Sequence, residues 1–256
     1  MKTKFIFLGC GSSVGVPRID GYWGRCKKNV KKNIRSRCSG IIIKGSNSIL
    51  IDTSPDLKQQ ILSNKIKNIS SVLFTHEHAD QTNGLFELRP FFWKYKKKIN
   101  IYGDSKTIKF LKKRNDYLFK KIKAYPPIVK SNIINKNFTL GKSKEKINFN
   151  TINVKHGQTN SLVYIFHKTA YISDCNDTSI VKNSNLKNLK YLILDCLKFT
   201  KHPTHFNLEE SLFVHSRLQP NKTILTNLHH DMDYDFLLRK LPKNVLPAYD
   251  GMTLIL

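Results

Sequence analysis

The chain has 256 residues, 40% of them hydrophobic, with 44 basic against 18 acidic residues and a net charge of +26. That length is enough for one large α/β or two-sheet unit with a real core, and the absence of any run of about 18 apolar residues excludes a membrane-spanning helix. Five cysteines, an odd number without CxxC spacing, predict free thiols in a reducing cytoplasm and not a disulfide framework. The charge admits two readings. Clustered lysine and arginine would attract an RNA backbone, whereas lysines spread along a chain crowded with Lys, Asn and Ile fit an AT-rich genome.

The N-terminal FIFLG follows two lysines, Lys2 and Lys4, but is too short for a signal peptide and runs into Gly9, Gly11, Ser12 and Ser13, so KFIFLG reads as a first strand and turn. GIIIKG, SILIDT and SVLFTH read as three further strands. SPDLKQQILSNK is a short helix whose Asp56 favours its N-terminus. NGLFELRPFFWKY is a helix interrupted by Pro90, INIYGD a strand, and SKTIKFLKKRNDYLF a helix with Ile108, Leu111, Tyr117 and Leu118 as its apolar positions. Residues 123–147, rich in Pro, Lys and Asn, read as a surface excursion. KINFNTINVKH, SLVYIFH, AYISDC and KYLILDC are consecutive strands, and NLEESLFVHSRL is a helix that Asn207 and Glu210 cap reciprocally. KTILTNLHH is a strand and polar loop, YDFLLRKL a helix, and AYDGMTLIL closes the chain. No internal repeat or linker divides it, which predicts one domain over 1–256.

Several strands end in residues of metal-ligand type. SVLFT leads to His76, His78, Asp80 and Gln81, INVK to His156, YIS to Asp174, ILTNL to His229 and His230, and LILDC to His202 and His205. Strand ends lie at one edge of a sheet, where their loops can converge. Imidazoles with carboxylates suit zinc, manganese or iron. Two such ions, about 3.5–4 Å apart, would activate water and clamp the oxygens of a displacement at phosphorus. Asp174, with two carboxylate oxygens, is the candidate bridge.

His76-Glu77-His78-Ala79-Asp80-Gln81, followed by His156, Asp174 and His229, resembles the metallo-β-lactamase superfamily. FLGCGSSVGVPRIDG, SILIDTSPDLKQQIL, HPTHFNLEE and the closing AYDG resemble its cyclic phosphodiesterase branch of phosphonate breakdown, over essentially the whole chain. The resemblance implies an αββα sandwich of the α/β class with two metal ions at one edge. One would be held by His76, His78 and His156, the other by Asp80 and His229, with Asp174 shared. His229, directly after its strand, is preferred to His230. It further implies His205 as general acid, with Asp80 as the second catalytic candidate, and Asp52 as a group that orients the histidine loop.

Three features depart from the pattern or leave it open. Gln81 stands where the family motif ends in histidine, and its amide oxygen is a harder, poorer donor. The second site is therefore expected to be occupied but weakened, or to prefer manganese or iron; a single ion is the remaining outcome. Cys26 is alone where relatives carry several cysteines, which argues against a structural zinc. Ser12, Ser13 and Gly15 offer either backbone N–H groups for a phosphate or a plain turn. His202 supports His205 or enters the next helix, and His167 and His215 are read as structural.

The expected function is metal-dependent cleavage of a small cyclic or nucleotide-like phosphodiester, in the cytoplasm and without a membrane partner. A tRNA 3′-processing endoribonuclease and a non-catalytic nucleic-acid-binding protein on the same scaffold are the alternatives; thioester or lactone hydrolysis and a homodimer are left open.

Overall fold

The computed structural model describes all 256 residues. The first half builds strands β1 (Thr3–Gly9), β2 (Ser39–Lys44), β3 (Asn47–Ile51), β4 (Ser71–Leu73), β5 (Ile99–Gly103) and β6 (Val129–Ile133). The second half builds β7 (Asn137–Leu140), β8 (Ile147–His156), β9 (Thr159–Phe166), β10 (Thr169–Ile172), β11 (Tyr191–Asp195), β12 (Lys222–Thr226) and β13 (Val245–Pro247). A last strand, β14 (Thr253–Ile255), returns to the first sheet. The sheet orders are β14-β1-β2-β3-β4-β5-β6 and β13-β12-β11-β10-β9-β8-β7. In each sheet an antiparallel stretch meets a parallel one: β3 to β6 are parallel, as are β10 to β13.

Alternation of side chains along the strands divides the apolar residues between the layers. Phe5, Phe7, Ile42, Ile49 and Leu73 of the first sheet meet Phe149, Tyr164, Phe166, Tyr171 and Ile193 of the second in one central core. The outer face of the first sheet, with Ile41, Leu50 and Val72, packs on α1 (Leu57–Ser63), α4 (Ser105–Arg114) and their neighbours through Leu57, Ile61, Ile108 and Leu111. Leu192 and Leu194 on the outer face of the second sheet pack on Val214 and Leu218 of α6 (Leu208–Leu218). The result is the αββα sandwich, and no helix is long and apolar enough to cross a membrane.

The capping box of α6 forms as expected, with Asn207 accepting from the Glu210 N–H and Glu210 accepting from the Asn207 N–H. Two local expectations fail. Pro90 does not interrupt a helix; it lies in the first turn of α3 (Arg89–Tyr95), where its missing N–H costs nothing, and a 3₁₀ turn, Leu85–Leu88, precedes it. Residues 123–147 are not simply a surface excursion. They contain β6 and β7, the last strand of each sheet, so this is where the chain crosses between sheets. Edge strands carry weaker alternation than central ones, and the segment's polar residues hide them.

Asp250, just before β14, ties three distant segments together. It accepts from the Cys10 N–H at 3.0 Å and from both the N–H and the hydroxyl of Ser36 at 2.7 Å. Burial nonetheless pushes its carboxyl up to about 6. An acid raised in the folded state takes up its proton before the unfolded chain does, so its charge weakens the fold above about pH 6 and ceases to do so below about pH 4. Relative to Asp250→Asn, the wild type should therefore gain up to about 2 kcal/mol between pH 7.5 and 4.5. Urea unfolding of both proteins at the two pH values checks this; a pH-independent difference would refute it.

Candidate functional site

The C-terminal ends of β4, β8, β10, β11 and β12 meet at one edge of the sandwich. Beyond β4 the chain runs through Phe74 and Thr75 to His76 and His78, and then enters α2 (Ala79–Thr82), which carries Asp80 and Gln81. β8 ends on His156, and β10 leads to Asp174. The His76, His78 and His156 rings pack edge to face, with centroids 4.5–5.0 Å apart. His156, Asp174 and His205 form a second, overlapping group of potential ligands. The structure thus brings His76, His78 and His156 together, and His156 together with Asp174 and His205.

Each imidazole is oriented from behind. Thr75 gives its N–H (2.8 Å) and hydroxyl (2.9 Å) to the Asp52 carboxylate, and its oxygen lies 3.0 Å from His76 Nδ1. With the Thr75 proton committed to Asp52, His76 Nδ1–H donates and Nε2 keeps its lone pair. His156 Nδ1–H donates to the Thr204 carbonyl at 2.7 Å, which leaves Nε2 facing His78 Nδ1 at 3.2 Å. Asp52 therefore does orient the histidine loop. It acts through Thr75, whose part the sequence did not reveal.

Thr204 is in turn held by His202, whose Nδ1 is 3.2 Å from its hydroxyl. His202 supports the centre in this way, and its ring also lies 5.3 Å from that of His205. Gly157 makes room for this arrangement: with φ at +61°, a Cβ there would stand 2.5 Å from Thr204 Cγ2.

Fully or almost fully buried atoms at the centre lack any partner: His76 Nε2, Asp174 Oδ2 and Gln81 Oε1. All three are acceptors. Buried acceptors without donors are rare, and such lone pairs are what divalent cations take up. Burial holds the His76 imidazole down to about 3, against the pull of Asp174, so it is neutral and its lone pair is free. Burial would raise the Asp174 carboxyl, but His76, His156 and His205 outweigh it and hold the group at about 2. For Asp80, burial followed by the Asp174 charge raises the carboxyl. The residues present fit a divalent metal centre.

Two further residues were missed. Asp195, at the end of β11, is fully buried and accepts from His205 Nδ1 at 2.9 Å and from the Cys175 N–H at 2.9 Å. Burial lowers the His205 imidazole, but Asp195, with Asp174 and Asp80 behind it, raises it to about 9. LILD ends in aspartate just as SILID and YISD do, so the signal was there. Asn227, directly after β12 with φ at +62°, donates Nδ2–H to the Ser173 carbonyl at 3.1 Å and to Asp174 Oδ1 at 3.3 Å. It, and not a histidine, is the β12 residue in contact with Asp174.

His229 stands elsewhere. It belongs to a separate group with His230 and Asp231; its ring lies 3.5 Å from that of His230, and its Nδ1 is 3.2 Å from Asp231 Oδ2. The loop after β12 turns at Asn227, where φ is +62°, and His229 is grouped with His230 and Asp231 and not with Asp174. Both histidines line an open cleft of about 1160 Å³ with Ser13, Gly15, Arg18 and Arg37. Two of the cleft's three guanidinium groups are ion-paired, while the buried Arg35 donates to the Met232 carbonyl and has no carboxylate partner. Arg18 pairs with Asp20, and Arg37 donates Nε–H to Asp56 at 2.8 Å. The Ser12 and Gly15 N–H groups bond the Leu228 and Ser12 carbonyls, which favours the plain turn over a phosphate cradle.

The remaining candidates are structural in their contacts. His215 ties α6 to β12 through Thr223 Oγ1 at 2.8 Å, and Cys26 Sγ accepts from Arg35. His167 lies exposed after β9. All five cysteines are buried free thiols. Because Asp52 alone satisfies the Thr75 N–H, Asp52→Ala should cost about 2 kcal/mol of stability and weaken metal binding about 10- to 100-fold. Urea unfolding and a zinc competition titration read the two effects.

Comparison with known proteins agrees with this fold. Residues 47–229 match the model of the beta-lactamase superfamily domain. The chain is 28% identical over 258 residues to an octanoyltransferase of Porphyromonas gingivalis (strain ATCC BAA-308 / W83), covering 99% of this chain and 51% of that protein. It thus spans about half the length of this curated relative. Among solved structures, a new diphosphatase from the PhnP family is 29% identical with a TM-score of 0.88, over 100% of this chain and 98% of that one. Zn²⁺-bound PqqB from Methylobacterium extorquens (18% identical, TM-score 0.76, 99% and 100% covered) and the short form of human tRNase Z (14%, 0.67, 98% of each) share the fold.

Proposed function

The chain belongs to the beta-lactamase superfamily, as a hydrolase of the metallo-β-lactamase fold near the PhnP branch, and on that premise we propose that it is a metal-dependent phosphodiesterase acting on a small cyclic or nucleotide-like phosphodiester. The observation that carries the reading is His205, fixed by Asp195 at 2.9 Å and by its place beside Asp174 and His156. A hydrolase that splits a P–O bond to an alkoxide needs a proton donor across from its metal centre, and His205 stands there with Nε2 free of any protein partner. The relative named a diphosphatase favours phosphorus as the electrophile, and makes cleavage of a phosphoanhydride the second reading.

His76, His78, His156, Asp80 and Asp174 would hold divalent ions, which would supply Lewis acidity toward a phosphoryl group and activate water. The chain's own residues do the rest. The imidazoles present lone pairs fixed by Thr75 and Thr204, and Asp174 balances the positive charge. Asp195 keeps the His205 ring facing the centre with its proton on Nδ1, so that Nε2–H can be given to the departing oxygen. The cleft beside His229 and Arg37 admits the remainder of the substrate. Its two ion-paired arginines, Arg18 and Arg37, favour a small substrate over a long polyanion. Five buried free thiols support a reducing, cytoplasmic setting.

The test is hydrolysis of bis(p-nitrophenyl) phosphate and of a cyclic nucleotide by the metal-loaded protein. Metal-dependent release of p-nitrophenol and ring opening are expected. No turnover with zinc, manganese or iron, alongside turnover of a thioester or lactone, would overturn the reading.

A further inference from the structure

Gln81 is 0% exposed, and its two polar atoms are in different states. Its Nε2–H₂ donates to Asp80 Oδ2 at 3.2 Å, whereas Oε1 is buried without any donor. Turning the amide over would set that oxygen against the Asp80 carboxylate, so the hydrogen bond fixes which atom is left bare. Asp174 shows the same asymmetry. Asn227 serves Oδ1, and Oδ2 is buried and unserved. The acceptors left without donors are therefore two oxygens, Gln81 Oε1 beside Asp80 and Asp174 Oδ2, whose charge acts on Asp80, and one imidazole nitrogen, His76 Nε2. His229, the histidine expected on the Asp80 side, is turned to Asp231.

We infer that the centre is chemically asymmetric: His76, His78 and His156 form a nitrogen site for an ion of the zinc class, and Asp80, Gln81 and Asp174 form an oxygen-only site for a harder divalent cation of the manganese and magnesium class. Imidazole suits zinc, while carboxylate and carbonyl oxygen suit manganese and magnesium, so the donor atoms themselves sort the two ions. Asn227 is a positioning residue in this scheme, since its N–H holds Asp174 with Oδ2 unengaged. Gln81 is then a ligand that sets metal identity and not a damaged histidine. The inference rests on the metal-centre part of the reading above and is independent of the substrate.

The experiment uses the full chain, stripped by chelation, reloaded with one equivalent of zinc and titrated with Mn²⁺. Free Mn²⁺ is followed by electron paramagnetic resonance, and both metals are counted after gel filtration; no substrate is present, so the result is separate from any failure of the phosphodiesterase assay. One zinc retained and one manganese taken up per chain is expected. Gln81→Leu should keep the zinc and weaken manganese at least about tenfold, and Gln81→His should strengthen binding of a second zinc by at least about tenfold. Two zinc ions of equal affinity in the wild type, no second ion of any kind, or manganese binding unchanged in Gln81→Leu would each overturn the inference. Gln81→His, which retains a polar side chain, decides the matter if the leucine variant does not fold.

Discussion

Asp174→Ala is expected to lose metal-dependent turnover by about three orders of magnitude, roughly 4 kcal/mol of transition-state stabilisation, and to retain at most one ion per chain. Asp174 is 2% exposed and stands among His76, His156 and His205, the carboxylate that the three imidazoles share. Neutral imidazoles alone can ligate an ion but cannot balance its charge, and an unbalanced charge in a buried site is expensive. The alanine variant also removes the acceptor of the Asn227 N–H, so a loss of activity alone could reflect misfolding. Asp174→Asn separates the two causes. It preserves volume and an oxygen for Asn227 to meet, but removes the charge; it should fold within about 1 kcal/mol of the wild type and still lose the metal. Metal content by mass spectrometry, paired with urea unfolding, reads both. Full metal content in either variant would remove Asp174 from the centre.

How far the sequence went is clear at particular residues. The strand and helix order was legible because central strands such as GIIIKG and KYLILDC carry unbroken apolar runs, bounded by glycine or charge. β6 and β7 were not, because at a sheet edge half of the side chains face water and the pattern fades into that of a loop. At the site, His76, His78, His156 and Asp174 could be found because histidine or aspartate immediately after a strand has few other uses. Asp195 follows the same rule, but the two histidines downstream of it carry the stronger ligand signal. His229 shows the limit of the rule. Position after a strand says which edge a residue reaches, but one residue with positive φ, Asn227, redirects the chain, and the side chains after it face the cleft. Neutral groups such as Thr75, Thr204 and Asn227 had no signature at all. Their roles are visible only once the hydrogen bonds of the ligands are followed outward.

The second large effect concerns His205, and its size should depend on the substrate. A phosphodiester whose leaving group is p-nitrophenol departs as a stable anion and needs little help from an acid. One whose leaving group is an alkyl or ribose hydroxyl departs as a strong base and needs the proton early. His205→Ala should therefore lower kcat about 10- to 100-fold for bis(p-nitrophenyl) phosphate and about 10³- to 10⁴-fold for a cyclic nucleotide, with KM little changed. Asp195→Asn tests the support. The amide can still accept at one oxygen but carries no charge to favour the protonated ring, and its NH₂ can turn toward His205 and impose the wrong orientation. It should give the same leaving-group pattern at smaller amplitude, about 10-fold for the nucleotide, with the alkaline limb of the rate profile moved to lower pH. Packing loss would slow both substrates equally, so the ratio between them is the informative quantity. An equal loss for the two would mean that His205 positions the substrate or holds a metal ion, as its membership of the His156–Asp174 group also permits, and the departing oxygen would then have to draw its proton from solvent at the cleft.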